Sequence, residues 1–582
     1  MPPKKAKGRN SSSASRRVAR SQARKQQPPA RKTSELDKPT ENEEAKQQQD
    51  FIEEEGEIID LKEMPAFQYY LALVEQNMKV NYFIQIMTIL FLCNLTVVDF
   101  MKVSINPVDG KPDDTNYKNL VSTGFVLISA IVAFAIALNG TWKVYIKNLK
   151  ADPDDKVDYG LPQLPDFELI YGTVLPLFLV LLKSPKLLPI VAAGVTQLPN
   201  MADIVKVIVS FVIEAQTLTE ETQMGIREII AVPLLYFGLH YMLNKYTFDS
   251  FTQTERNLMT ILFMTTVFAV HASSSNITLV ILQKLVYAFG MAAIFNVPLM
   301  EFYVKQKQSS TKYILAAVCH TIFWAIGITF TDIQLTPILG AHPIEFLINF
   351  ITATEERFTI FKYWIGAFAT VIPTFVLLSS YLPLDVRRKF WHYALFSALA
   401  YPLTIDPELV SLALVGLLGI FLFVELQRAT KLKPFGDFFS SVLKPFQDKR
   451  DNSGLIVVSY LFLVLGVGLP IWFNGASGLN ESCIGLITLG LGDSSASLIG
   501  KRIGKHKWFN GSNKSFEGSA AFLLATGAGL SVMRNLGQNT YSDSTIWLTS
   551  LLVSLVEGAT EMNDNVLVPV MGYIILNVLD RY

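Results

Sequence analysis

Residues 492–519 read GDSSASLIGKRIGKHKWFNGSNKSFEGS, a charged, glycine-punctuated island set between two apolar runs. The first run ends in Asp493. Three serines and Ala496 then keep the following turns slim, and Gly500 and Gly504 loosen them. Lys514 and Glu517 stand just ahead of the second run. Charge enclosed by hydrocarbon-compatible sequence is costly unless it is paired, hydrated or serving a polar ligand. The island therefore reads as an active site at a membrane surface.

The rest of the chain supplies the membrane. Of its 582 residues 50% are hydrophobic and only 17% charged, with a mean hydropathy of +0.33, which marks a polytopic membrane protein. The formal net charge of +0 hides a basic segment at 4–32 and an acidic one at 35–63, so only the local distribution informs. Rich in Ser, Gln and Pro and without the apolar stretch of a signal peptide, residues 1–65 are expected to form a disordered, charged cytosolic tail. The basic stretch is read as holding that end in the cytosol, with no nucleic-acid partner expected. Cys93, Cys319 and Cys483 lie in or beside apolar runs without CxxC spacing or a neighbouring His. Neither a disulfide framework nor a zinc site follows from them.

Apolar runs lie near 80–100, 119–138, 167–182, 187–215 (one helix or two), 226–243, 255–272, 276–304, 313–330 and 363–382. A second series follows at 391–405, 408–427, 453–473, 481–499, 519–537, 543–558 and 565–579. Backbone amides in lipid must be satisfied internally, so the fold class is all-α, with about 15 transmembrane helices. The segment 336–351, interrupted by Pro and His, is expected at the interface. We divide the spans into an N-terminal region, 66–382, either lipid-binding or structural, and a C-terminal catalytic domain, 383–582.

Placing the basic loops in the cytosol tests whether the C-terminal spans alternate. The loop 428–450 carries Lys431, Lys433, Lys444 and Lys449, so the next span runs outward, and its exit loop NGASGLNES has no Lys or Arg. The following span returns Asp493 to the cytosolic side. Residues 501–518, with Lys501, Arg502, Lys505, Lys507 and Lys514, are then cytosolic, and two further spans bring EGATEMNDN, residues 557–565, back beside them. Walking the other way puts RRKFWH, residues 387–392, on the same face. Four polar groups are thus expected to converge on one site.

The glycines and lysines invite a P-loop reading. GKRIGK at 500–505 is one residue too short for GxxxxGK, and His506 stands where Ser or Thr should follow, so Walker A is rejected. In a looser reading, backbone N–H groups at Gly500, Gly504, Gly511 and Gly518 face phosphate oxygens, with Lys501, Arg502, Lys505 and Lys514 as counter-charges. The competing reading is a solvated positive-inside loop. Boundary carboxylates favour function: Asp493, Glu517, Glu557, Glu561 and Asp564 all fall at expected helix ends. Glu517 stands three residues after Lys514 and is read as its orienting partner. His392, three residues after Lys389, shares its face as a phosphate clamp or base, while Trp391 is an interface anchor. Of the glycosylation sequons at Asn94, Asn139, Asn276, Asn480, Asn510 and Asn513, only Asn480 falls in an expected lumenal loop.

Three elements together resemble a known family: D-x-x-A-x-x-x-G at Asp493, Ala496 and Gly500, K-S-F-E-G at 514–518, and EG…NDN within 557–565. They are similar to those of the polyprenol and dolichol kinases. RRKFWH, DKRDNSG at 448–454 and the close of the chain resemble the eukaryotic dolichol kinases in particular. The likeness covers roughly 385–582; before that only the number of spans and the overall plan agree. It implies a kinase of the endoplasmic reticulum membrane that phosphorylates dolichol from CTP at the cytosolic face, giving the lipid carrier for glycosylation.

On that resemblance, Asp493 and Asp564 hold a divalent cation, Mg by expectation, that bridges CTP phosphates. Lys514 and one of Lys501, Arg502 or Lys505 meet non-bridging oxygens, Lys389 helps anchor phosphate, and Asp564 or His392 accepts the alcohol proton. The expected partners are dolichol or a related polyprenol, CTP and membrane lipid. Phosphatidate cytidylyltransferases carry similar D-x-x-A-x-x-x-G and K-x-x-E-G elements and are the alternative enzyme class. A lipid transporter is the alternative outside enzymes, although no internal repeat is seen and the key charges sit at helix ends rather than at mid-membrane.

Overall fold

Segments this apolar must satisfy their amides internally, and the chain meets that demand with helices. The computed structural model describes residues 80–105, 169–183, 188–195, 203–217, 226–268 and 276–581, with breaks at 248, 449, 476–477, 509–511 and 538–540 and isolated positions at 124, 128 and 132. Among the described residues there is no strand, as the all-α reading expects, and a single antiparallel bridge joins Lys507 and Ser515. The expected tail at 1–65, the apolar run at 119–138 apart from those three isolated positions, Gly511 and the sequons at Asn139 and Asn510 lie outside the described residues.

The helices are α1 (Val80–Ile105), α2 (Leu169–Lys183), α3 (Leu188–Val195), α4 (Asp203–Thr217), α5 (Ile226–Thr247), α6 (Gln253–Phe268), α7 (Ile277–Lys305), α8 (Ser309–Leu339), α9 (Pro343–Thr352) and α10 (Glu355–Leu378). They continue with α11 (Leu384–Ile405), α12 (Pro407–Thr430), α13 (Gly436–Leu443), α14 (Ser459–Asn474), α15 (Leu479–Ile487), α16 (Ser494–Ile503), α17 (Phe516–Gly537), α18 (Asp543–Ala559) and α19 (Asp564–Leu579). Local chemistry sets many of the ends. Asp406 accepts the Leu409 N–H at 2.9 Å with Pro407 in the first turn of α12, a cap plus a residue already shaped for the helix. Thr252 and Glu255 cap α6 reciprocally at 3.2 and 3.0 Å, a capping box. Gly340 closes α8 in the left-handed region at φ 70°, which glycine adopts without a Cβ penalty.

The run 187–215 resolves into two helices, α3 and α4, and the interrupted segment 336–351 into the end of α8 and a separate short α9. By length and composition six described helical segments can cross a bilayer: Ile277–Lys305, Ser309–Leu339, Glu355–Tyr381, Pro407–Thr430, Leu479–Ile503 and Phe516–Gly537. These six are counted among the described residues and do not give the number for the whole chain, for which about 15 are expected. Some of the runs fold as shorter helices: α14, with 16 residues, is about 24 Å long, less than a hydrocarbon core of about 30 Å. The segments at 309–339 and 355–381 bury only 17% and 6% of their most apolar windows, whereas the segment 479–503 buries 67%. The first two turn apolar surface outward, as helices facing lipid do, and the last belongs to the interior.

The interior is built around α19, whose side chains from Val566 to Met571 and from Tyr573 to Leu576 are buried. It packs against α14, α15 and α18. Glycine permits the closest approach. A Cβ on Gly466 of α14 would collide with the Asn565 carbonyl oxygen and meet Leu489 and Pro569 at 3.0 Å, while one on Gly485 would collide with the Gly466 carbonyl. Small residues at such crossings let membrane helices pack backbone to backbone. The rod 479–503 is interrupted by a π-helical stretch, 488–493, that ends on Asp493, a distortion frequent at functional sites. Asn480 lies in the first turn of α15 and is fully buried, so its amide has no room for a glycan.

Residues 76–582 form one compact unit, tied across its length by polar contacts. Arg450 pairs with the buried Glu255, and the Ser250 hydroxyl accepts the Ile456 N–H at 2.9 Å. Replacing Gly466 with Ala is expected to destabilise the detergent-solubilised protein by about 1–3 kcal/mol through overpacking, read as a lower melting temperature. Gly416→Ala, where a Cβ meets nothing within 4 Å, should leave it unchanged; equal melting of both variants would refute the glycine contact.

Candidate active site

The site forms where helix ends meet at one end of the bundle. On α11, Lys389 and His392 share a face because three residues nearly complete a turn. Lys389 reaches Asp493 in an ion pair, and His392 Nε2 lies 3.5 Å from the same carboxylate. Asp493 and His392 are only 3% and 5% exposed. Removing one member of such a buried pair costs about 3–5 kcal/mol, because it leaves the other charge buried without its partner.

His392 connects two further helices. Its Nε2 lies 3.1 Å from Oδ1 of Asn565, and its Nδ1 lies 3.1 Å from the Arg388 carbonyl oxygen. Both ring nitrogens thus face oxygens, so a neutral ring can donate to only one of them. Asn565 in turn donates to the Ser459 carbonyl at 3.3 Å. Asp451 fixes Ser459 by accepting its hydroxyl at 2.7 Å and its N–H at 3.3 Å, and Arg388 meets Asp448 at 2.9 Å. The DKRDNSG run therefore braces the start of α14 and the first turns of α11.

The third group is Lys514. Its ammonium lies 3.0 Å from the Glu557 carboxylate and also donates to the Glu557 carbonyl. Burial works against that charge, but Glu557, Asp564 and Asp493 outweigh it and hold the Lys514 pKa above its usual value. The side chain is therefore an ammonium throughout the neutral range. Asp564, in the first turn of α19, lies within electrostatic reach of Lys514, Lys389, Arg388 and His392. The structure thus gathers Lys389, His392, Asp493, Lys514 and Asp564, and adds Glu557 and Asn565, whose sequence signal was the EGATEMNDN segment itself.

Glu517 does not orient Lys514. Its carboxylate accepts the N–H groups of Lys505 and His506 at 3.1 and 3.2 Å and contacts His506 Nδ1 at 2.7 Å. Spacing by three residues implies a shared face only inside a helix, and α17 begins at Phe516, after Lys514. The glycines also differ from the phosphate-cradle reading. The Gly504 N–H bonds the Gly500 carbonyl at 3.1 Å, and the Gly518 N–H bonds the Ser515 hydroxyl at 3.2 Å. A Cβ on Gly500 would meet Ser515 Oγ at 3.0 Å, and one on Gly518 the Ala496 carbonyl at 3.0 Å. These glycines let α16 and α17 close on each other, and the N–H groups of Gly504 and Gly518 are already used. Lys501 pairs with Asp385, both more than half exposed, a contact worth about 0–1 kcal/mol. Arg502 and Lys505 are exposed and so supply diffuse positive charge.

The island is folded. Phe516 N–H bonds the His506 carbonyl at 2.9 Å and Trp508 N–H the Lys514 carbonyl at 3.3 Å. Trp508, 7% exposed, donates from its indole to Ser519 Oγ at 2.9 Å and stacks on Phe516. It lies so close to Gly558 that a Cβ there would collide with its indole ring, which seats the island against the end of α18.

A family model described as the dolichol kinase N-terminal domain matches residues 34–271. The chain is 33% identical over 273 residues to "Dolichol kinase" of Saccharomyces cerevisiae, covering 45% of this chain and 51% of that protein. It is 34% identical over 266 residues to "Dolichol kinase sec59" of Schizosaccharomyces pombe (42% and 52%) and 28% identical over 262 residues to "Dolichol kinase" of Homo sapiens (41% and 48%). The matched part of the chain spans about half the length of these curated relatives. No solved structure matches. These matches bear out the resemblance to dolichol kinases, and the domain match carries it into the N-terminal half, where the motifs are silent.

Trp508→Ala removes the island's anchor and leaves a cavity worth about 3–5 kcal/mol. Limited proteolysis at Lys505 and Lys507 should accelerate while the membrane helices stay intact; an unchanged cleavage rate would contradict this anchoring.

Proposed function

We propose that the chain is a dolichol kinase that transfers phosphate from CTP to the terminal hydroxyl of dolichol or a related polyprenol, at the cytosolic face of the endoplasmic reticulum membrane. The observation that carries this reading is the meeting of two lysines and three carboxylates, from separate segments, at one end of an apolar helix bundle, in a chain whose relatives are named dolichol kinase. A long isoprenoid alcohol stays in lipid and a nucleotide stays in water, so the reaction needs such a boundary. The basic residues of 501–518 favour the cytosolic side.

Phosphoryl transfer asks a protein for positioning and charge neutralisation more than for covalent chemistry. Lys389 and Lys514 are the ammonium groups assigned to non-bridging phosphate oxygens, each held ready by a carboxylate. Lys501, Arg502 and Lys505, on the exposed side, draw in the triphosphate. His392 orients Asp493 and Asn565, and because both of its ring nitrogens already face oxygens, we assign the alcohol proton to Asp564. Asp493 and Asp564 are the residues that would hold a divalent cation. Mg is the ion proposed, because it takes one or two carboxylates and leaves its other positions to phosphate and water. Bound there, it would neutralise charge on the transferring group.

Asp493→Asn and Lys514→Ala are each expected to lower transfer by about a hundredfold or more, measured as label passing from γ-labelled CTP into an organic-extractable product. Near-normal transfer by folded, membrane-inserted variants would sink the assignment. A cytidylyltransferase would leave the γ-label in pyrophosphate, and a transporter would transfer none. Chelation should abolish turnover, and added Mg should restore it.

A further inference from the structure

The last carbonyls of a helix have no partner within it. At the end of α18 the Ala559 carbonyl belongs to a residue with no exposure to water, and its partners come from the other end of the chain. Asn81 Nδ2 donates to it at 3.2 Å and Gln85 Nε2 at 2.8 Å, from adjacent turns on one face of α1. The Tyr171 hydroxyl on α2 donates to Gln85 Oε1 at 2.7 Å, which turns the amide so that its NH2 faces Ala559. All three side chains are buried, in helices that are otherwise strongly apolar.

Polar side chains at such depth are expensive and tend to mark function. A purely structural contact between these helices would be met by apolar packing, whereas two amides aimed at one carbonyl, one of them fixed by the Tyr171 hydroxyl, constrain its direction and distance. Ala559 lies two residues after Glu557, which holds Lys514, and five before Asp564. A shift of about 1 Å in such groups can cost about a hundredfold in rate. Resting on the kinase reading above, we infer that Asn81 and Gln85, oriented by Tyr171, are positioning residues that hold the end of α18 and thereby set Glu557, Lys514 and Asp564 relative to one another. All three lie within the segment matched as the dolichol kinase N-terminal domain, so this is a role for that domain in the reaction itself.

The test uses the full chain reconstituted in lipid nanodiscs, with Gln85→Leu and the milder Tyr171→Phe. Gln85→Leu should lower kcat for γ-phosphate transfer about tenfold or more, and Tyr171→Phe several-fold, with KM for dolichol unchanged. In a Glu557→Gln background Gln85→Leu should change the remaining rate less than about twofold, because residues acting through one another are not additive. Hydrogen exchange across 557–563 should rise in Gln85→Leu while exchange in α14 and α15 stays as in the parent, a readout independent of turnover. Full kcat in both single variants, multiplicative effects with Glu557→Gln, or unaltered exchange at 557–563 would each overturn the inference. A parent protein that transfers no phosphate from CTP would instead overturn the kinase reading, and the exchange data would still decide whether α1 holds this helix end.

Discussion

A carboxylate buried at the end of a membrane helix must be paired, and the pairing of Asp493 with Lys389 organises the C-terminal half of this protein. The partner comes from α11, about a hundred residues earlier, so the two helices cannot separate without stranding a charge in a poorly hydrated place. His392, one turn on from Lys389, extends the tie to Asn565 at the start of α19. Asn565 then reaches Ser459 and, through it, Asp451. One electrostatic requirement thus brings the beginnings of α11, α14 and α19 to the π-helical stretch that carries Asp493.

Backbone proximity makes this geometry possible. Gly466 and Gly485 bring α14, α15 and α19 close beneath the site, and Gly500, Gly504 and Gly518 do the same for α16 and α17. Both lysines assigned to phosphate are held by carboxylates. Those contacts fix the direction of each ammonium, and such preorganisation reduces the reorganisation that the proposed transfer would demand.

The N-terminal half is more than lipid-facing bulk. Glu255 and Ser250 grip the 450–456 segment, and Asn81 and Gln85 close the end of α18. Both grips fall on stretches adjacent to site residues. No motif announced them, because a single Asn, Gln or Glu inside an apolar helix has no spacing pattern from which its partner can be read.

Hydropathy and charge alone determined the helical class, the membrane setting and the convergence of the 387–392, 492–519 and 557–565 segments, because burial of apolar runs and alternation across a bilayer are one-dimensional rules. They also picked out Asp493, Lys514, Lys389, His392 and Asp564 as a cluster. Where an apolar run breaks was not legible: 187–215 divides into α3 and α4, and apolar length alone does not mark such a break. Nor were the pairings: Lys514 stands outside the helix that would have aligned it with Glu517, so it turns to Glu557, while Glu517 caps the island. Which charge meets which, and that glycines serve close packing here, was decided only by the tertiary structure, because such contacts join residues distant in the chain and depend on distances that spacing along it does not encode.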